Sequence, residues 1–222
     1  MALVSSIVAR VSELLNDSDL VRWTEPELVY WVNEGIKQIV ILLPEASAVT
    51  KEIQLVTGTK QSLPSDGVRL IDVLRNTGVD GGVPSEPIRI VERDVIDTLK
   101  PTWHKDRSSL VAKHFIFDGR NPKTFYVYPP SRAQYIEVVY SKTPTVLIES
   151  DDLGDFNIYS ASIINYVMHR AFAKDTEEGN QARSSGYQQS FYTSIGLYDQ
   201  ADGKVSPSNF APPRNRQTGD HY

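Results

Sequence analysis

Acidic side chains crowd one short stretch of the chain, at Glu149, Asp151, Asp152 and Asp155. Paired carboxylates can hydrolyse glycosides when one is held protonated and the other ionised at a suitable separation. A weak cation site is the second use such oxygens allow. The same acids also stand just ahead of a helical stretch, where capping and the helix dipole favour them without any chemistry. That structural use is the reading the spacing supports best, and a glycan hydrolase built on Glu149–Asp155 stays as the enzymatic alternative.

Elsewhere the chemistry-bearing types fail on spacing. His104, His114, His169 and His221 stand at no metal-ligand spacing from one another, and no His-Glu-x-x-His occurs. Gly58-Thr59-Lys60-Gln61-Ser62 imitates a phosphate loop, but it lacks the upstream glycine, the hydroxyl directly after the lysine and a following helix. A turn is expected there, and another at Asp80-Gly81-Gly82. Asn16-Asp17-Ser18-Asp19 lacks the glycine and distal glutamate of a calcium loop. With no cysteine there is no disulfide, thiolate metal site or cysteine nucleophile. No catalytic, cofactor or metal-binding residue is therefore assigned. Of 11 tyrosines, ten lie at or beyond Tyr126, nine of those on expected strands and helices, where core packing and protein–protein contact both use them.

The elements that would position these groups follow from periodicity. Leu3, Val4, Ile7, Val8, Val11, Leu14 and Leu15 recur at helical spacing. A second helix starts at Thr24, where Thr24 and Glu27 make a capping-box pattern with Pro26 in the first turn. Val29, Val32, Ile36, Ile39, Val40 and Leu43 form its stripe, and Pro44 stops it. Ile53, Leu55 and Leu63 flank Thr57-Gly58-Thr59 as a hairpin. A short apolar element is expected around Val68–Leu74, a strand at Ile88–Val91 and a short helix at Glu92–Leu99. Lys113–Tyr140 then reads as a three-stranded antiparallel meander of aromatic and β-branched runs. Helix returns at about Asp155, breaks at Asp175–Asn180 and resumes from about Gln181, with Tyr187, Phe191, Ile195 and Tyr198 on one face. The last stretch is proline-rich and poor in apolar residues, so it is expected to be extended.

The fold class is therefore α+β: an antiparallel helical bundle with an inserted antiparallel β subdomain and an extended C-terminal arm. The divisions are 1–49 and 149–200 for the bundle, 50–148 for the β subdomain and 201–222 for the arm. A length of 222 residues suits one domain carrying an insertion. No apolar run approaches the ~20 residues that span a bilayer, and Met-Ala-Leu-Val-Ser-Ser lacks the pattern of a signal peptide, so export is not expected. Residues 1–50 hold three basic and seven acidic side chains, 51–150 hold 14 and 12, and 151–222 hold six and nine. The net charge of −5 is thus spread without a basic face of the kind that grips duplex DNA.

Four stretches form a pattern that is specific when taken together. They are Arg22-Trp23-Thr24-Glu25-Pro26-Glu27-Leu28-Val29-Tyr30-Trp31-Val32-Asn33-Glu34 after the opening helix, and Arg69-Leu70-Ile71-Asp72-Val73-Leu74-Arg75-Asn76. The third runs from Pro101-Thr102-Trp103 through Phe115-Ile116-Phe117-Asp118-Gly119-Arg120-Asn121-Pro122 to Tyr128-Pro129-Pro130. The fourth is Asn165-Tyr166-Val167-Met168-His169-Arg170-Ala171-Phe172-Ala173-Lys174-Asp175, with Asn180 and the aromatic last helix beyond it. Together these stretches resemble the phage adaptor protein family, the head-to-tail adaptors of short-tailed bacterial viruses, similar to tail tubular protein A, and the resemblance spans residues 1–200 in order.

It implies a structural virion protein, made in the host cytoplasm, without enzymatic activity, cofactor or membrane. It also implies a dodecameric homo-oligomeric ring between the portal protein and the tail nozzle protein, with genomic DNA passing through its lumen without sequence-specific binding. A ring needs heterologous contacts. Phe115, Phe117, Arg120, Phe125, Tyr126, Tyr128, Tyr135 and Tyr140 are the expected subunit or nozzle contacts. Phe210, Pro212, Pro213, Arg214 and Arg216 are the expected anchors of the arm on the portal. A nonviral protein-interaction module, stable as a monomer or small oligomer, is the remaining alternative.

Overall fold

The computed structural model describes residues 3–174 and 178–205. In chain order the elements are α1 (Val4–Leu15), α2 (Glu25–Leu42), β1 (Ala48–Gln54), β2 (Gly58–Ser62), β3 (Gly67–Gly78), β4 (Arg89–Ile90), α3 (Arg93–Leu99), β5 (His114–Phe117), β6 (Thr124–Ser131), β7 (Tyr135–Lys142), α4 (Ser160–Lys174) and α5 (Glu178–Val205). Short 3-10 turns fall at Pro44–Ser47, Trp103–Lys105 and Gly154–Tyr159. The α+β class is thus established. Two compact units divide the chain, one from residues up to Gly35 together with Leu147 onward, the other from Ile36–Val146.

In the first unit α1 buries Val4, Ile7, Val8 and Val11, the stripe its periodicity marks out. It ends at Asn16, whose left-handed φ of 53° places a polar residue where the helix must turn away. Asp17 then builds the turn into α2. Its Oδ1 accepts from the Val21 N–H at 3.1 Å, and its Oδ2 accepts from the Arg22 and Trp23 N–H groups at 3.0 Å each. These donors, Trp23 foremost, hold the Asp17 carboxyl below its usual range. Trp23 is buried, and its indole N–H donates to the Ala171 carbonyl at 3.3 Å.

The first half of α2 runs antiparallel to α4. Glu27 pairs with Lys174 at 2.8 Å and Glu34 lies 3.5 Å from Arg170, so numbers rise on one helix as they fall on the other. Just beyond the second pair Gly35 lets the backbone close on Tyr166; a Cβ there would sit 3.2 Å from that ring. α4 packs on α5 through Tyr166 against Phe191 and His169 against Ser184.

The second unit holds two sheets, ordered β1-β7-β3 and β2-β6-β5-β4. Three expectations need correction here. The hairpin across Gly58 is not one: β1 pairs with β7 and β2 with β6, in different sheets. Gly58, at φ 108°, carries the chain between them. The Gln61 side chain closes that corner, accepting from the Val56 N–H at 2.8 Å and donating to the Val56 and Gly58 carbonyls.

The Lys113–Tyr140 meander also breaks. β5 and β6 pair antiparallel, but β7 leaves for the other sheet after a turn at Ala133 (φ 69°). That turn is held by the buried Gln134, whose Oε1 accepts from Ser131 Oγ and the Arg132 N–H at 3.0 Å each. Nor is the β region wholly antiparallel, since β4 pairs parallel with β5. The core of the unit gathers Ile53, Leu70, Val73, Phe115, Phe125, Val127, Ile136, Val138 and Tyr140.

α5 already starts at Glu178, so residues 178–180 of the expected break at Asp175–Asn180 are helical, and residues 175–177 lie outside the described residues. The expected arm from residue 201 is corrected as far as Val205, which is still helical. Phe210, Pro212, Pro213, Arg214 and Arg216 lie outside the described residues.

Candidate functional site

The acidic stretch serves the start of α1. The Val4 N–H donates to the Asp151 carbonyl and the Ser5 N–H to the Glu149 carbonyl, both at 3.0 Å, which satisfies two of the helix's free donors. Asp151 Oδ2 accepts from the Ile148 N–H at 2.9 Å and Asp152 Oδ1 from the Gly154 N–H at 2.6 Å. Two of the four acids are therefore spent on their own loop. Glu149 hydrogen-bonds the Glu25 carboxyl and pushes its affinity for protons up, an exposed like-charge pair at the head of α2. Among the described residues no three His, Asp, Glu or Cys side chains gather as a metal ion would require. No described helix is long and apolar enough to cross a membrane.

The expected contact residues separate by burial. Phe115, Phe125 and Tyr140 point into the core of the second unit. Tyr140 is fully buried and its hydroxyl donates to Asp66 Oδ1 at 3.1 Å; burial first, then that carboxylate, raises its pKa. Their side chains are consumed by the fold and offer nothing to a neighbour. Phe117, Tyr126, Tyr128 and Tyr135 are half-buried and Arg120 is exposed. These five keep surface for contact.

Tyr128 and Tyr126 belong to an aromatic and charged cluster beside α3. Trp103 is buried, donates its indole N–H to Asp97 Oδ1 at 2.7 Å, and meets Tyr126 and Tyr128 edge-on at 6.1 and 6.3 Å. His104 stacks on Trp103 at 3.6 Å and hydrogen-bonds Thr59 Oγ1 at 2.8 Å. The Arg93 guanidinium lies 5.3 Å from the Tyr126 ring. Tyr128 donates its hydroxyl proton to Asp106 Oδ2 at 2.9 Å and accepts from Lys100 Nζ at 3.0 Å, while Lys100 and Asp106 pair directly. The Lys100 bond holds the Asp106 carboxyl below its usual range, and Asp106 in turn raises Lys100.

Over this cluster opens an apolar groove of about 390 Å³, floored by Val91, Ile96 and Tyr128 and flanked by Val95, Leu99, His114 and Lys100. Leu99 is 79% exposed and Val95 47% along its edge, so the groove presents apolar surface to water. His114, opposite Tyr128 in the β5–β6 ladder and stacked on it, has a buried Nδ1 without a hydrogen-bond partner. Nothing here holds a nucleophile beside a base. The arrangement can bind, through apolar area and a few fixed polar atoms.

Sequence reasoning named Tyr126 and Tyr128 but missed the α3 side of the groove. The exposed faces of Val95 and Leu99, on a helix of seven residues, were the signal. No curated protein matches the chain. The model of a protein family described as SU10 adaptor protein matches residues 2–215.

Proposed function

We propose, from the premise that the chain belongs to the SU10 adaptor protein family of phage adaptors, that it is the ring-forming piece joining the portal to the tail nozzle. The family match over residues 2–215 is the observation that carries this reading. In it the chain is a structural virion protein, repeated as a dodecamer whose lumen forms part of the DNA channel. Phe117, Arg120, Tyr126, Tyr128 and Tyr135 are the proposed subunit or nozzle contacts, because they keep exposed surface on the second unit. Phe210, Pro212, Pro213, Arg214 and Arg216 are the proposed portal anchors. Each such contact is weak alone, and a ring multiplies it through effective concentration.

Cryo-microscopy of the chain mixed with its portal tests the proposal. The expected image is a closed ring stacked coaxially on the portal. A chain that stays monomeric beside an intact portal, at concentrations well above micromolar, overturns it. Truncation after Val205 is expected to abolish the stack.

A further inference from the structure

α4 carries a different surface at each of its ends, and both belong to the first unit. Directly ahead of it, the 3-10 turn Gly154–Tyr159 presents Asp155 and Ile158, both exposed, the isoleucine at 64%. Side chains three apart eclipse in a 3-10 helix, so the two stand as a carboxylate beside an apolar tip. At the other end, Phe172 in the last turn of α4 shares a groove of about 410 Å³ with Leu14, Arg183, Gly186 and Tyr187. Phe172 and Tyr187 stack at 5.8 Å, and the Arg183 guanidinium is held 5.7 Å over the Phe172 ring. A Cβ on Gly186 would meet nothing within 4 Å, so the groove is open there.

We propose that this groove receives the Ile158 of a second copy of the chain, seated over Gly186 beside Phe172, with that copy's Asp155 against Arg183. The two surfaces match in charge and in spacing. Neither Arg183 nor Asp155 forms an ion pair among the described residues. Arg183 and Gly186 are three apart on α5, as Asp155 and Ile158 are on their turn, rises of about 4.5 and 6 Å. Ser160 and Phe172 lie about 18 Å apart along α4, so one copy cannot seat its own turn in its own groove. Each copy therefore has one donor end and one acceptor end, and repeating such a head-to-tail contact closes a ring or grows a filament. Closure into a ring rests on the adaptor reading; the contact itself does not.

The chain has no cysteine, so introduced cysteines report the contact directly. Full-length Ile158→Cys and Gly186→Cys proteins, mixed one to one well above micromolar concentration and oxidised with diamide, are expected to crosslink as a heterodimer in preference to either homodimer. Both positions are exposed, so the core stays intact, which an unchanged circular dichroism spectrum checks. Adding Arg183→Asp to the Gly186→Cys protein is expected to cut the yield roughly tenfold, and Asp155→Arg in the Ile158→Cys protein to restore it. A chain carrying both cysteines is expected to give a ladder of dimer, trimer and longer products. Absence of the heterodimer, or a yield that Arg183→Asp leaves unchanged, overturns the proposal. So does a ladder that stops at dimer, which would mean a reciprocal two-fold contact. No portal is present in these mixtures. A ladder without a ring on the portal therefore sinks only the adaptor reading, and a portal-bound ring whose cysteines do not crosslink sinks only this contact.

Discussion

Asn76 and Ala112 exchange two hydrogen bonds: Asn76 Nδ2 donates to the Ala112 carbonyl at 2.8 Å, and the Ala112 N–H donates to Asn76 Oδ1 at 2.9 Å. The amide side chain thus acts as one more strand partner, pinning the loop before β5 to β3. The other unit repeats the device. Asn33 Nδ2 donates to the Leu147 carbonyl at 2.9 Å, and the Leu147 N–H donates to Asn33 Oδ1 at 2.8 Å. Both asparagines are buried.

Replacing either asparagine by alanine leaves a peptide N–H and a carbonyl without partners. Each unmade bond at a buried group costs roughly 1–3 kcal/mol, so with two bonds lost Asn76→Ala and Asn33→Ala are expected to lose about 2–6 kcal/mol each. Urea unfolding with an unchanged slope measures it. A loss below about 0.5 kcal/mol in both variants would mean that water replaces the amide at no cost.

The β5–β6 aromatics should divide in their effects. Phe125→Ala removes a fully buried ring and is expected to cost about 3–5 kcal/mol of stability. Arg120→Ala, on the exposed turn, is expected to stay within about 0.5 kcal/mol and act only on assembly. Thermal melting of the free protein and sedimentation of the mixture with portal separate the two.

Acid should act on Asp106 and His169 in one direction. Asp106 has its pKa depressed by Lys100, so its contribution is present above the unfolded carboxylate pKa and is lost as pH falls through the depressed value. His169, between α4 and α5, is depressed mainly by burial, so its contribution is full above an unfolded pKa of about 6.5 and fades as pH falls through the folded value. Melting temperature against pH is expected to lose its decline just below neutrality in His169→Gln, and part of its decline in the carboxylate range in Asp106→Asn. Profiles superimposable on the unaltered protein would refute both assignments.

Glu25 runs the other way. Its pKa is raised by Glu149, so the favourable protonated pair exists at low pH and is lost as pH rises through the folded value. At neutral pH the two carboxylates repel. Glu25→Gln is therefore expected to raise the melting temperature at pH 7 and to be close to neutral at pH 4. A lower melting temperature at pH 7 would show that Glu25 serves the head of α2 more than it opposes Glu149.

The helices were legible because burial along them follows the 3.6-residue period, as Val4, Ile7, Val8 and Val11 show. The strand partners were not. β3 slips register against β7 four times, and four of its five buried residues, Gly67, Leu70, Val73 and Asn76, recur every third position. Each bulge inserts an extra residue, which erases the alternation a strand is read by. The corner at Gln61 and the turn at Gln134 were hidden for another reason: a buried glutamine stands in for backbone partners that no local pattern announces. The candidate groove was half legible. Tyr126 and Tyr128 stood out by type, but their partners across α3 are ordinary aliphatics distinguished only by being uncovered.

Residues 36–146 complete their unit from one unbroken stretch of chain, whereas the other unit waits for residue 147 and beyond. Synthesis from the N-terminus therefore delivers α1 and the start of α2 long before α4 exists. Once residue 147 has emerged from the ribosome, a β-rich unit that can close follows a helical pair whose Ile7, Val8 and Leu28 still wait for α4 and α5. That unit therefore closes later than the one whose residues are contiguous, although its first helices are made first.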